Sequence, residues 1–294
     1  MNPTSKIDMH THLVTETTPF CFNAEERLVF DKVMNIGKAV LLPSALDPKI
    51  PAEQLELWDK IGLRSEGACA LAQQYPDHFA WMCNVYLDGT DAPFEQLKQY
   101  KAMGACGVGE FTQTLRLDDP RMDQLFDWCG QLDLPFLFHI SPSGQTYGVV
   151  DLPGLPLLEG ALKKFPNTKF IGHSQPFWFE MSEYPADLTD EERNVYPAGK
   201  VVPGRVPYLL EQYDNLYGDL SADSGGNAIL RDADYGIEFL NHFQDKLMYG
   251  SDTTSCDLHY PLGAYLDSLH HQGKLSDEAY TKIIRTNAER IFGI

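Results

Sequence analysis

Residues 6–13 read KIDMHTHL, a strand-like run that ends in two histidines spaced two apart. The same form recurs along the chain. Short apolar, β-branched or aromatic runs start near residues 6, 38, 79, 104, 135, 169, 216 and 247. After KIDMHTHL they read KAVLLPS, FAWMCNVY, GACGVGEF, PFLFHIS, KFIGHS, LYGDLSA and LMYGSDT. Each interval leaves room for one helix and two loops, and several carry helix signals. Asn23 with Glu26 forms a capping-box pattern. Asp119 before Pro120 is an N-cap followed by a first-turn proline. Met122, Leu125, Phe126 and Cys129 fall on one helical face, and Leu158, Ala161, Leu162 and Phe165 repeat the spacing. Strand–helix alternation predicts parallel strands joined by right-handed crossovers. Eight such units predict an α/β fold, the (β/α)8 TIM barrel, as one domain over residues 1–294. An open doubly wound sheet is the alternative. It usually carries a glycine-rich loop after its first strand, where this chain has His10, Thr11 and His12.

The chain has 294 residues, of which 43% are hydrophobic and 22% charged, with mean hydropathy −0.29. A chain of this size buries roughly three quarters of its unfolded surface, so a disulfide mini-protein, a collagen-like chain and a disordered tail are excluded. Lys and Arg number 23 against 42 Asp and Glu, a net charge of −19, and no basic cluster interrupts it. A nucleic-acid partner is therefore not expected. The six cysteines form no C-x-x-C, and several lie in apolar runs, which fits a reduced, cytoplasmic protein. No apolar run approaches membrane-spanning length, and Met1 to Lys6 lack a signal-peptide core, so no membrane association is expected.

Residues two apart on a strand share a face. Asp8, His10 and His12 align against Ile7, Met9 and Thr11. Val108 aligns with Glu110, and Gly107 and Gly109 on the other face are expected to admit a helix closely behind the strand. Leu137 aligns with His139, Ile171 with His173, and Met248 with Gly250 and Asp252. In a barrel one register brings these groups to the C-terminal mouth, where active sites are built. Each has an ordinary reading alone: a hydrogen-bonded core histidine, a rim carboxylate for Glu110, a helix cap for Asp252. Together, four of the nine histidines and two carboxylates end five apolar strands. Uncompensated burial of such groups costs several kcal/mol, and a divalent cation satisfies all of them at once. Imidazole and carboxylate without thiolate suit Zn, Mn, Fe or Co, with zinc the default.

These residues resemble the amidohydrolase superfamily, and within it the amidohydrolase family 2 branch. That branch includes decarboxylases of the aminocarboxymuconate-semialdehyde and resorcylate types. The matching pieces are DMHTH at 8–12, FHIS at 138–141, IGHS at 171–174, NLYGDLSA at 215–222, YGSD at 249–252 and the terminal NAERIFGI. The resemblance implies that His10 and His12 bind a first metal, completed by His139 and Asp252 in mononuclear members. It implies His173 as an acid/base or electrostatic group beside the metal-bound water, and Asp252 as the group that takes and returns the proton. One departure is GVGEF, which places Glu110 where many relatives carry a carboxylated lysine and the decarboxylase-like members usually have no ligand. A glutamate there resembles the TatD-type deoxyribonucleases, in which it bridges two metals. Glu110, His139 and His173 then hold a second ion, and the expectation is one or two ions. The alternative for Glu110 is to orient a ligand histidine from behind.

The implied activity is metal-dependent hydrolysis of a small-molecule amide, lactam, lactone or ester by a metal-activated water. The alternative is decarboxylation or hydration of a small carboxylated substrate. Specificity is expected from a long loop insertion at about 175–214, which contains Phe177, Trp178, Phe179, Tyr184 and Tyr196 and serves as a lid or a homo-oligomer contact. Trp178 and Arg205 are the candidate substrate contacts, with Arg193 and Lys200 as further carboxylate clamps. Residues 15–22 form a second candidate lid, and His259 is a candidate supporting residue. His78, just before a strand, reads as a loop residue, and His242, His270 and His271 read as helical and peripheral.

Overall fold

The computed structural model describes residues 5–14, 22–47, 49, 63–185, 187–255, 258 and 260–294. Most of the candidate lid at 15–22, and His259, lie outside them. Eight strands appear in the expected places: β1 Lys6–Thr11, β2 Ile36–Leu41, β3 Phe79–Trp81, β4 Val108–Phe111, β5 Phe136–His139, β6 Phe170–His173, β7 Leu216–Asp219 and β8 Leu247–Met248. They pair in parallel and in chain order, β1-β2-β3 and then β4-β5-β6-β7-β8. A doubly wound sheet would reverse its order part-way, and this one does not. Backbone hydrogen bonds cross both seams. Between β3 and β4, Cys83 N donates to Gly107 O and Gly109 N to Cys83 O, each at 2.9 Å; between β8 and β1, Met9 N donates to Tyr249 O at 3.1 Å. The fold is the (β/α)8 barrel.

The helix signals act as read. Asn23 and Glu26 make the reciprocal capping box of helix Ala24–Val33. Asp119 accepts from Arg121 N at the start of helix Pro120–Leu132, which buries Met122, Leu125, Phe126 and Cys129. Two apolar layers result. An outer layer lies between strands and helices. An inner layer fills the lumen with Ile7, Met9, Val40, Met82, Leu137, Ile171, Tyr217 and Met248, and Ile291 and Phe292 of the last helix close its floor. Side chains of this size gain about 1.5–3 kcal/mol each on burial, so the lumen beneath the mouth is a packed plug.

Two strands break the simple alternation. In β1 the register slips between Asp8 and Thr11. Ile7 and Met9 face the lumen, while Asp8 turns outward to Arg27 of the first helix. The irregularity lets His10 join Met9 on the inner side. In β4 the register slips between Val108 and Phe111, so Val108 packs in the outer layer and not on the side of Glu110. The glycines of β4 do not admit a helix. A Cβ on Gly109 would stand 2.7 Å from the carbonyl oxygen of Leu137, so it is β5 that approaches closely.

The stretch from 175 to 214 is less of a loop than the sequence suggests. Helices Gln175–Phe179 and Arg205–Gln212 occupy its ends. Phe177 and Trp178 wedge against the sheet, where a Cβ on Gly172 would meet the Phe177 ring at 2.3 Å and one on Gly218 the Trp178 ring at 2.9 Å.

Candidate metal centre

His10 and His12 at the end of β1, Glu110 on β4, His139 on β5, His173 on β6 and Asp252 after β8 come together at the C-terminal mouth. Three overlapping groups have ligand atoms within 4.8 Å of one another: His10, His173 and Asp252; His10, His12 and Glu110; Glu110, His139 and His173. His10 is fully buried and Glu110 nearly so, while the side chains of His12, His139 and Asp252 are 27%, 18% and 23% exposed. Asp252 has φ of +54°, a left-handed conformation that favours glycine, and its N–H is tied to His10 O at 2.8 Å. Such backbone strain is tolerated where a side chain must be aimed.

Behind this cluster lies a carboxylate that the strand-end pattern did not single out. Asp219 at the end of β7 is fully buried; its Oδ2 is 2.6 Å from His10 Nδ1 and 3.1 Å from His173 Nδ1. Ser221 Oγ donates to the same oxygen at 2.9 Å. His12 Nδ1 donates to Leu42 O at 3.1 Å. Carboxylate and carbonyl oxygens only accept, so Nδ1 carries the proton on both His10 and His12. Their Nε2 atoms are then lone pairs, yet they face each other at 3.1 Å. Glu110 Oε2 stands 3.3 Å from His12 Nε2, and Asp252 Oδ1 stands 3.4 Å from His10 Nε2. In the neutral rings these lone pairs and the nearby anions repel one another unless added protons or a cation hold them. The residues fit a divalent ion.

The ionisation behaviour follows from the same excess of negative charge. Burial works against a charged His10, but Asp252 and Asp219 outweigh it and raise the ring to about 8. Burial likewise opposes charge on His173, and the hydrogen bond and charge of Asp219 lift it to about 9. Burial alone would push Glu110 up; hydrogen bonds from His12 and His139 hold it well below the usual carboxylate range. The site asks for positive charge: without an ion the rings of His10 and His173 answer it by holding protons, and a divalent ion would take their place.

Each acid is shared among several rings, four for Glu110 and three for Asp252. Glu110 Oε2 faces His12 at 3.3 Å and His10 at 3.8 Å, whereas Oε1 faces His139 Nδ1 at 2.7 Å and His173 Nε2 at 3.8 Å. Asp252 Oδ1 faces His10 and His12, and Oδ2 faces His173 at 3.7 Å. Tyr147, which no sequence signal marked, donates its hydroxyl to Glu110 Oε2 at 3.0 Å and sets its ring edge-on to His139.

The expected substrate contacts lie elsewhere, and for clear reasons. Trp178 is 2% exposed, and its indole N–H donates to Asp219 O at 2.8 Å, so it braces β7 and offers no surface. Arg205 is bound to Gly154 O and Glu159. Arg193 is fully buried between Glu180, Asp190 and the carbonyl of Asp151. Lys200 pairs with Asp232 and Asp234. His242 and His270 sit in surface ion pairs, as expected. His78 lies in the turn before β3, as read, and from there reaches the buried Asp31 at 2.6 Å.

A barrel whose strand ends carry this His and carboxylate set defines a class of metal-dependent enzyme. The family model described as Amidohydrolase matches residues 7–294, and the chain belongs to that family. No curated protein matches the sequence. Among solved structures, an uncharacterised TIM-barrel protein of Bordetella bronchiseptica is 15% identical with a TM-score of 0.65, each chain covered over 98%. A 2,6-dihydroxybenzoate decarboxylase from Rhizobium is 17% identical with a TM-score of 0.60, again over 98% of each chain. A dihydroxybenzoic acid decarboxylase from Polaromonas sp. JS666, with bound manganese and the inhibitor 2-nitroresorcinol, is 15% identical with a TM-score of 0.60, over 98% of this chain and 97% of that one. At these identities the likeness is one of fold.

Proposed function

We propose that this protein is a metal-dependent decarboxylase of a small carboxylated, ring-bearing substrate. The observation that carries the metal half of this reading is the convergence of Nε2 lone pairs and carboxylate oxygens at the mouth. The decarboxylase half draws support from the two structurally similar proteins named above as decarboxylases. Hydrolysis by a metal-activated water, the first expectation from sequence, calls on the same groups and becomes the second reading.

The ion would be held by His10, His12, Glu110 and Asp252, with His139 and His173 completing a second position across the divided oxygens of Glu110 and Asp252. Zinc or manganese suits this donor set. When bound, such an ion polarises a substrate oxygen and offsets charge that develops on it. Asp252, the more open of the two carboxylates, would first take a proton from water and then deliver it to the substrate carbon. The carbon–carbon bond to the carboxylate breaks, its electron pair stays on that carbon and takes the proton, and CO2 leaves; water restores the proton to Asp252. Glu110, pinned by His139 and Tyr147, stays ionised.

The substrate body would lie in the adjoining cleft of about 460 Å³, lined by Leu46, Tyr86, Gln113, Arg121 and Tyr147 among others. That volume suits a small molecule. Among the described residues Arg121 is the one Lys or Arg in its lining, although Asp119 already holds it through Nε and Nη2. Protein loaded with Mn or Zn and offered hydroxylated benzoates, lactones and amides should release CO2 from the first group. Acid release from lactones or amides without CO2 would establish hydrolysis instead. Glu110→Gln with elemental analysis reads the ion count: two ions falling to one support a bridge, and one ion retained at near-normal affinity removes Glu110 from the ligands.

A further inference from the structure

Asp219 makes more contacts than an ordinary supporting carboxylate. Its Oδ2 meets His10 Nδ1 from β1 at 2.6 Å and His173 Nδ1 from β6 at 3.1 Å. Ser221 completes the cradle. Its backbone N–H donates to Asp219 Oδ1 at 2.9 Å and its hydroxyl to Oδ2 at 2.9 Å. The hydroxyl oxygen lies 3.2 Å from His10 Nδ1 and 3.1 Å from His173 Nδ1. That hydroxyl has one proton, spent on Asp219, so toward both rings it can only accept. Every group in the cradle therefore asks the two Nδ1 atoms to be donors. Asp219, Ser221 and His10 are fully buried and His173 is 2% exposed, so water does not compete for these bonds. Asp219 is itself fixed from behind, where the Trp178 indole N–H holds its carbonyl oxygen.

We propose that Asp219 and Ser221 are a shared positioning unit that locks His10 and His173, from two different strands, in the Nδ1–H form, so that both present Nε2 lone pairs to the metal centre. The proposal rests on the reading of that centre as an ion site, and it assigns His173 to the ligands rather than to proton transfer. One carboxylate sets two ligand rings at once, so damage to it is felt on both sides of Glu110.

The rings are read directly by nitrogen-15 NMR of the metal-free protein at pH 10, where both are neutral. Two Nδ1–H, Nε2-bare histidines assigned to His10 and His173 are expected. Asp219→Asn keeps the shape but turns one of its two edges into an N–H donor. At the Oδ2 position that donor faces both Nδ1–H groups, and at the Oδ1 position it faces the Ser221 N–H, so the all-acceptor cradle is lost either way. Zn affinity, measured by chelator competition, should fall 10–100-fold, the usual cost of altering a partner behind a ligand. Ser221→Ala should give a smaller fall and Ser221→Thr almost none, which keeps the test open if Asp219→Asn fails to fold. An Nε2–H form on either ring of the wild type, or unchanged Zn affinity in both Asp219→Asn and Ser221→Ala, would overturn the proposal. The NMR reading needs neither ion nor substrate. Locked rings in a protein that binds no ion would sink the proposed function and leave the lock standing.

Discussion

Asp8 and His10 sit two residues apart on one strand and belong to two different buried polar clusters. Behind β1, Asp8 pairs with Arg27, and Arg27 Nε stands 2.7 Å from Asp31, which also takes His78 at 2.6 Å. Asp8 further accepts from Ser251, through its backbone N–H at 2.7 Å and its hydroxyl. At the mouth, among the described residues, the side chains of Glu110, Asp219 and Asp252 meet histidines, a tyrosine and a serine and no Lys or Arg. In the first cluster the chain supplies its own cation, covalently attached; in the second it supplies lone pairs and leaves the cation to come from outside. Burial of acids is common to both. Whether the counter-charge belongs to the chain separates a structural brace from a binding site.

That contrast can be broken at either end. The largest effect is expected from Arg27→Met, which leaves Asp8 and Asp31 buried without their cation. Stability should fall by about 3–5 kcal/mol, on the order of 10 °C in the melting temperature. A loss below 1 kcal/mol would show that the rear cluster does not depend on its arginine. The mouth should behave oppositely. In metal-free protein above pH 9, where His10 and His173 have lost their protons, Asp252→Asn removes one of several crowded acids, so its melting temperature there should hold or rise. Metal-loaded turnover should nevertheless fall more than ~100-fold, beyond the cost of altering a group behind a ligand. Circular dichroism and activity on the same sample decide this, and a variant that keeps a tenth of wild-type turnover removes Asp252 from the mechanism.

Added Zn or Mn at a hundred times its dissociation constant should stabilise the protein by about 2.7 kcal/mol by mass action. Arg27→Met should show the same increment, because its defect lies in the other cluster. The smallest effect concerns pH. His10 and His173 are raised from 6.5 to about 8 and about 9, so they bind protons more tightly folded than unfolded. Their contribution is fully present below pH 6.5 and is lost as pH rises through 8 and 9. Metal-free protein should therefore lose melting temperature between pH 6.5 and 9, and bound ion should flatten that slope. A flat metal-free profile would mean that the carboxylates do not act on these rings.

The sequence makes the barrel legible because eight strand-like runs recur at helix-sized intervals, and because His10, His12, Glu110, His139, His173 and Asp252 all end such runs. The structure gathers all six. Strict alternation fails where a strand is irregular: Asp8 leaves the side of His10, and Val108 the side of Glu110, since a register slip changes which neighbours share a face. Asp219 also ends an apolar run, in LYGD, so the strand-end rule applied to the seventh run would have marked it. Tyr147 had no such signal, because it reaches Glu110 from a loop whose path is set by tertiary packing. Arg193, Arg205 and Trp178 were misplaced for one reason. Charge or aromaticity in a long connection does not reveal whether the group points at a ligand or back into the protein.

The Phe177 and Trp178 wedges bear on traffic through the mouth. With their rings seated over Gly172 and Gly218, the chain just after His173 is clamped to β6 and β7 and cannot swing aside without exposing both rings. This flank is a fixed bank of the channel. Entry to the mouth would then be left to the opposite shore, past Leu46, Tyr86 and Tyr147, and residues there would set how fast a bound molecule is exchanged.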